Sequence, residues 1–263
     1  MKKCMKKILM ANIAAAIICS TGGVTSAQDS LYEYGMTPVS IENGKLVSGD
    51  AIHNDAATAD IQTSNMTGTT DQYYGHFFFG NADIKNTSFD NNTLKTDGPN
   101  GVVYFNSSVK LYPTSYEVET PNTVTVTNSS FNGNKIESTG GTASIYSTSK
   151  AGAVMIKGTN VTFNDVAFND NAASGGTHAQ AMGGAVYLDS TSNTANHDGQ
   201  KRVLKASATF NVTKDTTYAG NKVFGVDAYS DTYGSYAKTG GGFMYMDRGG
   251  EANFNIADGV TLK

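Results

Sequence analysis

The chain has 263 residues, with 29 glycines, 4 prolines, two cysteines and no tryptophan. Its formal net charge of −4 becomes −8 without the first 27 residues, because that segment takes four of the 19 basic residues and leaves 15 against 23 acidic ones. Such an acidic balance argues against nucleic acid and against anionic membrane surfaces as partners.

Residues 1–27 have the pattern of a secretory signal peptide. Four lysines lie in the first seven residues, an apolar run follows from Ile8 to Cys19, and small residues end at Ala27. The apolar run is too short to cross a bilayer as a helix. We expect export through the Sec pathway to the cell surface, the outer membrane or the extracellular space. Both cysteines, Cys4 and Cys19, lie in this segment, so the mature chain must hold itself together by packing alone.

Residues 28–73 are polar and carry isolated strand patterns such as Pro38–Ile41. We interpret them as an N-terminal cap and loop, because an array of stacked strands must cover its open sheet edge. From residue 74 to residue 263, alternating apolar segments are separated by Gly and Asn clusters, and no helical spacing is sustained. This pattern predicts an all-β fold.

A short strand motif recurs along residues 74–263. Each instance is a Gly, one variable residue and three apolar residues: Gly75–Phe79, Gly101–Phe105, Gly152–Ile156, Gly184–Leu188 and Gly242–Met246. The distances between successive glycines are 26, 51, 32 and 58 residues. Motifs of fixed length joined by loops of variable length are typical of stacked equivalent strands.

A second strand and a Phe-x-x-Asn turn follow each of the first four Gly-strands in the same order, and only the loops between the motifs differ in length. The turns are Phe89–Asn92, Phe131–Asn134, Phe168–Asn171 and the looser Tyr218–Asn221. We expect Asn92, Asn134, Asn171 and Asn221 to form a hydrogen-bonded amide ladder at a buried bend. Gly184 and its equivalents stand where a β-carbon would crowd the neighbouring strand layer.

The repeat predicts a right-handed parallel β-helix, a solenoid of the pectin-lyase type, with about five coils of parallel strands. Side-chain alternation assigns two inward columns. These are Phe77, Val103, Val154, Val186 and Met244, and then Phe79, Phe105, Ile156, Leu188 and Met246. The outward column between them contains Phe78, Tyr104, Met155, Tyr187 and Tyr245. Its aromatic members are the candidate binding surface, an exposed stripe for a glycan or a protein. Stacking between neighbouring strands is the alternative explanation.

The paired Gly-Gly-Ala-Val and Phe-x-x-Asn motifs, here Gly183–Val186 and Phe168–Asn171, resemble the passenger repeats of autotransporters and of the polymorphic outer membrane protein family. The resemblance covers residues 74–263. It implies a β-helical passenger, export by a C-terminal β-barrel translocator, and roles in adhesion or host interaction. The barrel is expected but absent from this chain, and the strict Gly-Gly-Ala occurs once. The chain is then a fragment or has lost its anchor, and we favour the fragment.

Parallel β-helices also host polysaccharide lyases and hydrolases, which need clustered carboxylates or a basic residue beside the sugar. The histidines, at positions 53, 76, 178 and 197, follow no ligand spacing, and Asn196–Gly199 is interpreted as a solvated loop. Asp165, Asp170, Asp189 and Asp247 could flank a cation, but we interpret them as solvated corner acids. We therefore expect no catalytic residue, no metal site and no cofactor.

Three functions stay open from the sequence. The first is a non-enzymatic surface or secreted passenger, with a host glycan or matrix protein as candidate partner. The second is a carbohydrate-active enzyme, and the third is a passive spacer.

Overall fold

The computed structural model describes residues 39–43, 45–48, 65–66, 76–79, 81–96, 100–110, 115–117, 121–138, 147–175, 179–192, 203–224, 239–247 and 249–263. In these ranges the regular elements are all β-strands. No helix in these ranges has the length and hydropathy needed to cross a membrane. The predicted signal peptide lies outside the described residues.

The strands are, in chain order, β1 (Val39–Glu42), β2 (Lys45–Ser48), β3 (Asn65–Met66), β4 (His76–Phe79), β5 (Ala82–Lys85), β6 (Thr93–Thr96), β7 (Val103–Asn106), β8 (Ser108–Lys110), β9 (Ser115–Glu117), β10 (Thr123–Thr127), β11 (Ser130–Asn132), β12 (Lys135–Ser138), β13 (Ser147–Lys150), β14 (Val154–Lys157), β15 (Asn160–Asn164), β16 (Ala167–Asn169), β17 (Ala172–Ser174), β18 (Ala179–Met182), β19 (Val186–Asp189), β20 (Thr191–Ser192), β21 (Val203–Leu204), β22 (Ser207–Val212), β23 (Lys222–Phe224), β24 (Thr239–Gly240), β25 (Met244–Asp247) and β26 (Glu251–Ile256).

Three sheets organise the chain. Sheet 1 has the order β25-β19-β14-β7-β4, sheet 2 the order β2-β1-β5-β10-β15-β22-β26, and sheet 3 the order β23-β17-β12-β6-β3. The chain visits sheets 1, 2 and 3 in that order and then returns to sheet 1. We call one such passage a unit; the units are β4-β5-β6, β7-β10-β12, β14-β15-β17, β19-β22-β23 and β25-β26. Strands β13, β18 and β24, each just before a Gly-strand, form a further parallel sheet, sheet 4.

Neighbouring strands in sheets 1 to 3 pair in parallel, apart from the antiparallel pair β1–β2 at one edge of sheet 2. The register is the same in successive units, so that Val103, Val154, Val186 and Met244 are Cα partners in sheet 1. The strands of sheet 2 have the period of two that the pleat requires, as in Thr123–Thr127, where β-branched residues also favour the extended backbone. The predicted all-β fold with parallel strands is confirmed at this level.

The inward faces of sheets 1, 2 and 3 share one apolar core. Phe89, Phe131 and Phe168, from successive Phe-x-x-Asn turns, lie fully buried with ring centroids 4.9 and 5.0 Å apart and near-parallel planes. Tyr218 ends this column and meets the Phe168 ring edge-on at 5.4 Å. Stacked rings of this kind stabilise the array beyond the area they bury.

The register of β4 differs from the prediction by one residue. His76 is the partner of Val103, and Phe78 is the partner of Phe105. Phe78 is 1 % exposed and its ring lies 5.4 Å from that of Phe105, so it belongs to the inward column and not to the outward one. A shift of one residue exchanges the two faces of a strand. The predicted alignment of Phe77 with Val103 and of Phe79 with Phe105 is therefore wrong, since Phe77 pairs with Tyr104 and Phe79 with Asn106.

Bends between the sheets use residues with left-handed backbone. One set follows the sheet 2 strands and comprises Asn86, Asn128 and Asp165, with φ between 48° and 52°. The second set lies inside the Phe-x-x-Asn turns and comprises Asn91, Gly133, Asp170 and Gly220, with φ between 55° and 71°. Asn, Asp and Gly are the residue types that adopt this conformation most readily. The left-handed residue of the turn is thus the one before the ladder asparagine.

Part of the segment 28–73 extends the sheets. Strand β1 pairs in parallel with β5 in sheet 2, and β3 pairs in parallel with β6 in sheet 3. Strand β2 then covers the far side of β1 in antiparallel direction. Two hairpin-like insertions, β8–β9 and β20–β21, are also antiparallel, and both lie between a sheet 1 strand and the next sheet 2 strand.

Candidate functional site

The predicted aromatic stripe is in register but is not exposed. Tyr104, Met155, Tyr187 and Tyr245 are Cα partners along sheet 1, on the face opposite the main core. Tyr104 is 9 % and Tyr187 is 1 % exposed, and only Tyr245, in the last unit, is half-buried. The expected exposure of Phe78, Tyr104 and Tyr187 is therefore wrong.

Sheet 4 explains this burial. Met182, the last residue of β18, and Ala151, which directly follows β13, pack with Tyr104, Met155 and Tyr187 in a second apolar cluster outside the main core. Each strand of sheet 4 lies just before the Gly bend that leads into a Gly-strand. The residues that cover the aromatic column therefore precede, in sequence, the Gly-strands that contain it. We call this group, with Tyr245 packed against it, the corner cluster.

The corner cluster contains a buried tyrosine bound to a carboxylate. The Tyr187 hydroxyl donates a hydrogen bond to Asp247 Oδ2 at 3.0 Å, and the Tyr187 ring stacks on Tyr245 with centroids 5.4 Å apart. Lys150 Nζ lies 5.5 Å from the centre of the Tyr187 ring, within cation–π range. Burial, followed by the hydrogen bond and negative charge of Asp247, raises the pKa of Tyr187 far above its usual value. Tyr187 therefore stays protonated and acts as a fixed donor.

Two carboxylates flank this tyrosine. Asp189 and Asp247 are Cα partners in β19 and β25, and Lys157 is the partner of Asp189 on the other side. Asp189 is only 5 % exposed, so its predicted role as a solvated corner acid is wrong, whereas Asp247 is half-buried. Across the described ranges, no group of three or more His, Cys, Asp or Glu side chains is placed to hold a metal ion. The arrangement keeps Tyr187 protonated and places Lys157, Asp189 and Asp247 at equivalent positions of three adjacent strands.

The amide ladder predicted from the Phe-x-x-Asn turns is present. Asn92 Nδ2 donates to Asn134 Oδ1 at 3.0 Å, Asn134 Nδ2 to Asn171 Oδ1 at 3.0 Å, and Asn171 Nδ2 to Asn221 Oδ1 at 2.9 Å. Each accepting Oδ1 also receives the backbone N–H of the preceding asparagine. Asn134 Nδ2 gives its second proton to the Phe89 carbonyl oxygen at 2.6 Å. These buried amides are fully satisfied, which indicates a structural role.

The outer face of sheet 2 is a regular polar surface that the sequence analysis did not single out. Its outward side chains on three consecutive strands are Thr123, Thr125 and Thr127 on β10, Asn160, Thr162 and Asn164 on β15, and Ser207, Thr209 and Asn211 on β22. We call these nine residues the polar face. All are exposed or partly exposed. The alternation Thr-Val-Thr-Val-Thr is the signal that could have identified it.

Other predicted positions contribute little to a common site. Asp165 accepts hydrogen bonds from the Thr213 hydroxyl and the N–H groups of Thr213 and Lys214. Partial burial alone would raise the pKa of Asp165, but these hydrogen bonds and the Lys214 charge outweigh it and lower that pKa. Asp170 is exposed at its bend. The histidines at 53, 178 and 197, and the loop 196–199, lie outside the described residues.

No protein-family model matches the chain, and no curated protein or solved structure is significantly similar to it.

Proposed function

We propose that this chain is the exported, non-enzymatic passenger of an autotransporter-like protein, located at the cell surface or outside the cell, and that its sheets wind as a right-handed parallel β-helix. One observation carries the proposal. Successive units visit sheets 1, 2 and 3 in the same order and in the same register, with one aromatic column and one asparagine ladder running through them. The right hand follows from the strong preference for right-handed connections between parallel strands.

The corner cluster and the ladder support a scaffold more than a catalyst. The best acidic pair, Asp189 and Asp247, has one member almost fully buried and the other bound to Tyr187. A general acid or base must reach the substrate atom whose proton it moves. A scaffold needs instead what the units supply, which is a rigid array with loops at its bends. Adhesion to a host glycan or matrix protein is the role we propose for it.

Disulfide trapping tests the stacking of units directly. The mature chain predicted here has no cysteine, so pairs can be introduced without interference. In the double variant Thr162→Cys/Thr209→Cys the two positions are Cα partners on adjacent strands, within disulfide reach. The matched control, Thr125→Cys/Thr209→Cys, joins strands two apart, about 9–10 Å, which exceeds that reach. We expect mild oxidation to form a disulfide in the first pair alone, measured by mass spectrometry. A first pair that stays reduced, or a control pair that forms a disulfide, would contradict the stacked units and with them the proposed β-helix.

Export and binding test the rest of the proposal. The full chain, expressed in a Gram-negative host, should lose residues 1–27 and leave the cytoplasm, as measured by N-terminal sequencing and cell fractionation. The exported protein should bind at least one member of a panel of immobilised glycans and matrix proteins, and heat-denatured protein should not. An unprocessed chain retained in the cytoplasm would refute the proposal.

One observation favours a carbohydrate-active enzyme as a second candidate function. Asp189 and Asp247 are Cα partners on the neighbouring strands β19 and β25, and glycoside hydrolysis uses a pair of such carboxyl groups. Incubation of the exported protein with polygalacturonate and neutral polysaccharides, with and without calcium, measures this. We expect no new reducing ends; release that disappears in Asp247→Asn would replace the passenger proposal by the enzyme.

A further inference from the structure

We propose that the polar face binds an extended, uncharged glycan lying across strands β10, β15 and β22. The inference rests on the proposed function and names a ligand class and a surface for it. The surface differs from the aromatic column that the sequence suggested, since that column is buried in the corner cluster.

The polar face is a lattice of hydroxyl and amide groups. Its columns run across the strands at the β-sheet spacing of about 4.8 Å, and its rows run along each strand with about 6.7 Å between outward residues. The middle column contains Thr125, Thr162 and Thr209, which are Cα partners in successive strands. A ligand with hydroxyls at every repeat of a linear chain can meet this column several times in one orientation.

The edges of the lattice are already ordered by their own hydrogen bonds. Asn164 Nδ2 donates to Thr127 Oγ1 at 3.2 Å, Asn211 Nδ2 donates to Asn164 Oδ1 at 2.8 Å, and the Ser207 hydroxyl donates to Asn160 Oδ1 at 2.8 Å. These contacts fix the side chains that border the middle column. Binding then orders few additional side chains, which lowers its entropic cost.

The middle column itself is available. Within the described part of the chain, the hydroxyls of Thr125, Thr162 and Thr209 make no side-chain hydrogen bond, although all three residues are partly exposed. A threonine hydroxyl offers one donor and two acceptor positions. A sugar hydroxyl also both donates and accepts, so it can form a hydrogen bond with a threonine hydroxyl as either donor or acceptor.

Charge favours a neutral ligand over an acidic or basic one. None of the nine side chains is ionisable. On the adjoining strand β5, Asp83 and Lys85 form an ion pair at 2.7 Å, and Glu251 of β26 pairs at 3.0 Å with Lys205, which lies just before β22. An anionic polysaccharide would find no cation on the three central strands. The face also has no Tyr, Trp or Arg, the residues that anchor most protein partners.

The other sheets offer no equivalent surface in the described ranges. The outward side of sheet 1 is filled by the corner cluster. The outward side of sheet 3 carries Lys135, Lys222 and the Lys95–Glu137 ion pair, so its chemistry changes from one strand to the next. Sheet 2 is therefore the face on which three successive strands present the same uncharged chemistry.

A triple variant tests the inference. Thr125→Val/Thr162→Val/Thr209→Val removes the three middle hydroxyls and keeps the shape and the strand preference of each residue. The matched control, Thr93→Val/Thr217→Val/Thr261→Val, removes three exposed hydroxyls outside sheet 2. The probes are the uncharged hexasaccharides cellohexaose, xylohexaose and mannohexaose, their trisaccharides, and the acidic hexamer of galacturonate, titrated into the full chain by calorimetry.

We expect at least one uncharged hexasaccharide to bind, and to bind more tightly than its trisaccharide. The triple variant should lose this affinity by tenfold or more, while the control keeps it and both variants unfold at the wild-type urea concentration. No binding by folded wild type, equal binding by the triple variant, or preference for galacturonate would overturn the inference. Self-association of the wild type that the triple variant abolishes would also overturn it, in favour of a second copy as the occupant. If no uncharged glycan binds but the chain is still exported and binds a matrix protein, the inference is wrong and the proposed function stands. If the chain is retained in the cytoplasm, the proposed function is wrong, and glycan binding by the polar face is still measured separately.

Discussion

Replacing Gly184 with alanine tests the close approach between successive units at the start of a Gly-strand. A β-carbon at Gly184 would overlap the carbonyl oxygen of Gly242, which is the equivalent glycine of the next unit, and would lie 2.7 Å from backbone atoms of Lys222. A β-carbon at Gly242 itself meets nothing nearer than the Asn221 carbonyl oxygen at 3.3 Å. The two glycines are equivalent in sequence and differ in whether a further unit covers them.

The geometry sets the expected magnitude. The atoms that an added methyl group meets at Gly184 belong to the backbone, so relief requires a strand to shift rather than a side chain to rotate. Overpacking costs about 1–3 kcal/mol in general, and we expect Gly184→Ala to lie near the upper value, about 3 kcal/mol. In a domain of this size each kcal/mol lowers Tm by roughly 2–4 °C, which gives a fall of about 6–12 °C. For Gly242→Ala we expect less than about 1 kcal/mol, partly because alanine restricts the unfolded chain.

The assay is thermal and urea unfolding followed by far-ultraviolet circular dichroism, since the chain has no tryptophan for fluorescence. Gly184→Ala and Gly242→Ala are measured side by side with the wild type. Equal losses of stability in the two variants would refute the stacking argument, because both would then reflect glycine replacement and not contact between units.

Three further predictions concern the ladder, the aromatic column and a bend. Asn134→Leu removes the acceptor of the Asn92 amide and should lower the free energy of unfolding by about 3 kcal/mol in urea titration, since buried polar groups lose their partners; a loss below about 1 kcal/mol would contradict it. Phe131→Ala should cost about 3–5 kcal/mol in the same assay, and a change as small as that of a surface site would contradict the stacked column. Asp165→Asn should destabilise the chain at pH 7 and less so at pH 3. The reason is that the folded pKa of Asp165 lies below the unfolded value of about 3.9, so its contribution is present above that pH and is lost as the pH falls through the folded pKa. An unchanged gap between variant and wild type at pH 3 would contradict this assignment.

Much of the strand pattern could be predicted because two constraints repeat along the chain. The apolar triplets and the Phe-x-x-Asn turns recur in fixed order, so Val103, Val154 and Val186 could be aligned without a structure, and the same reasoning predicted the Asn134 ladder. The same alignment placed Phe78 on the wrong face, because β4 starts one residue nearer its glycine than β7 does. All three residues Phe77–Phe79 are phenylalanines, so the sequence of this strand does not distinguish one face from the other.

The candidate site was less predictable because exposure depends on chain segments that carry no motif. Nothing in the sequence of β13 or β18 indicates that Ala151 and Met182 cover Tyr187. The polar face was missed for a different reason. Exposed threonines are common on any strand with one solvent face, and Thr162 and its neighbours acquire significance only when adjacent strands place them in register.

The position of the two hairpin insertions has a consequence for how this surface can change. Both β8–β9 and β20–β21 leave the array at the same corner, between sheets 1 and 2, while β14 and β15 are joined there by two residues alone. The register of the strands on either side is the same with or without the extra segment. The connection at that corner can therefore change in length and sequence in one unit without a change in the others. We expect a foreign peptide inserted there to be displayed without disturbing the neighbouring units.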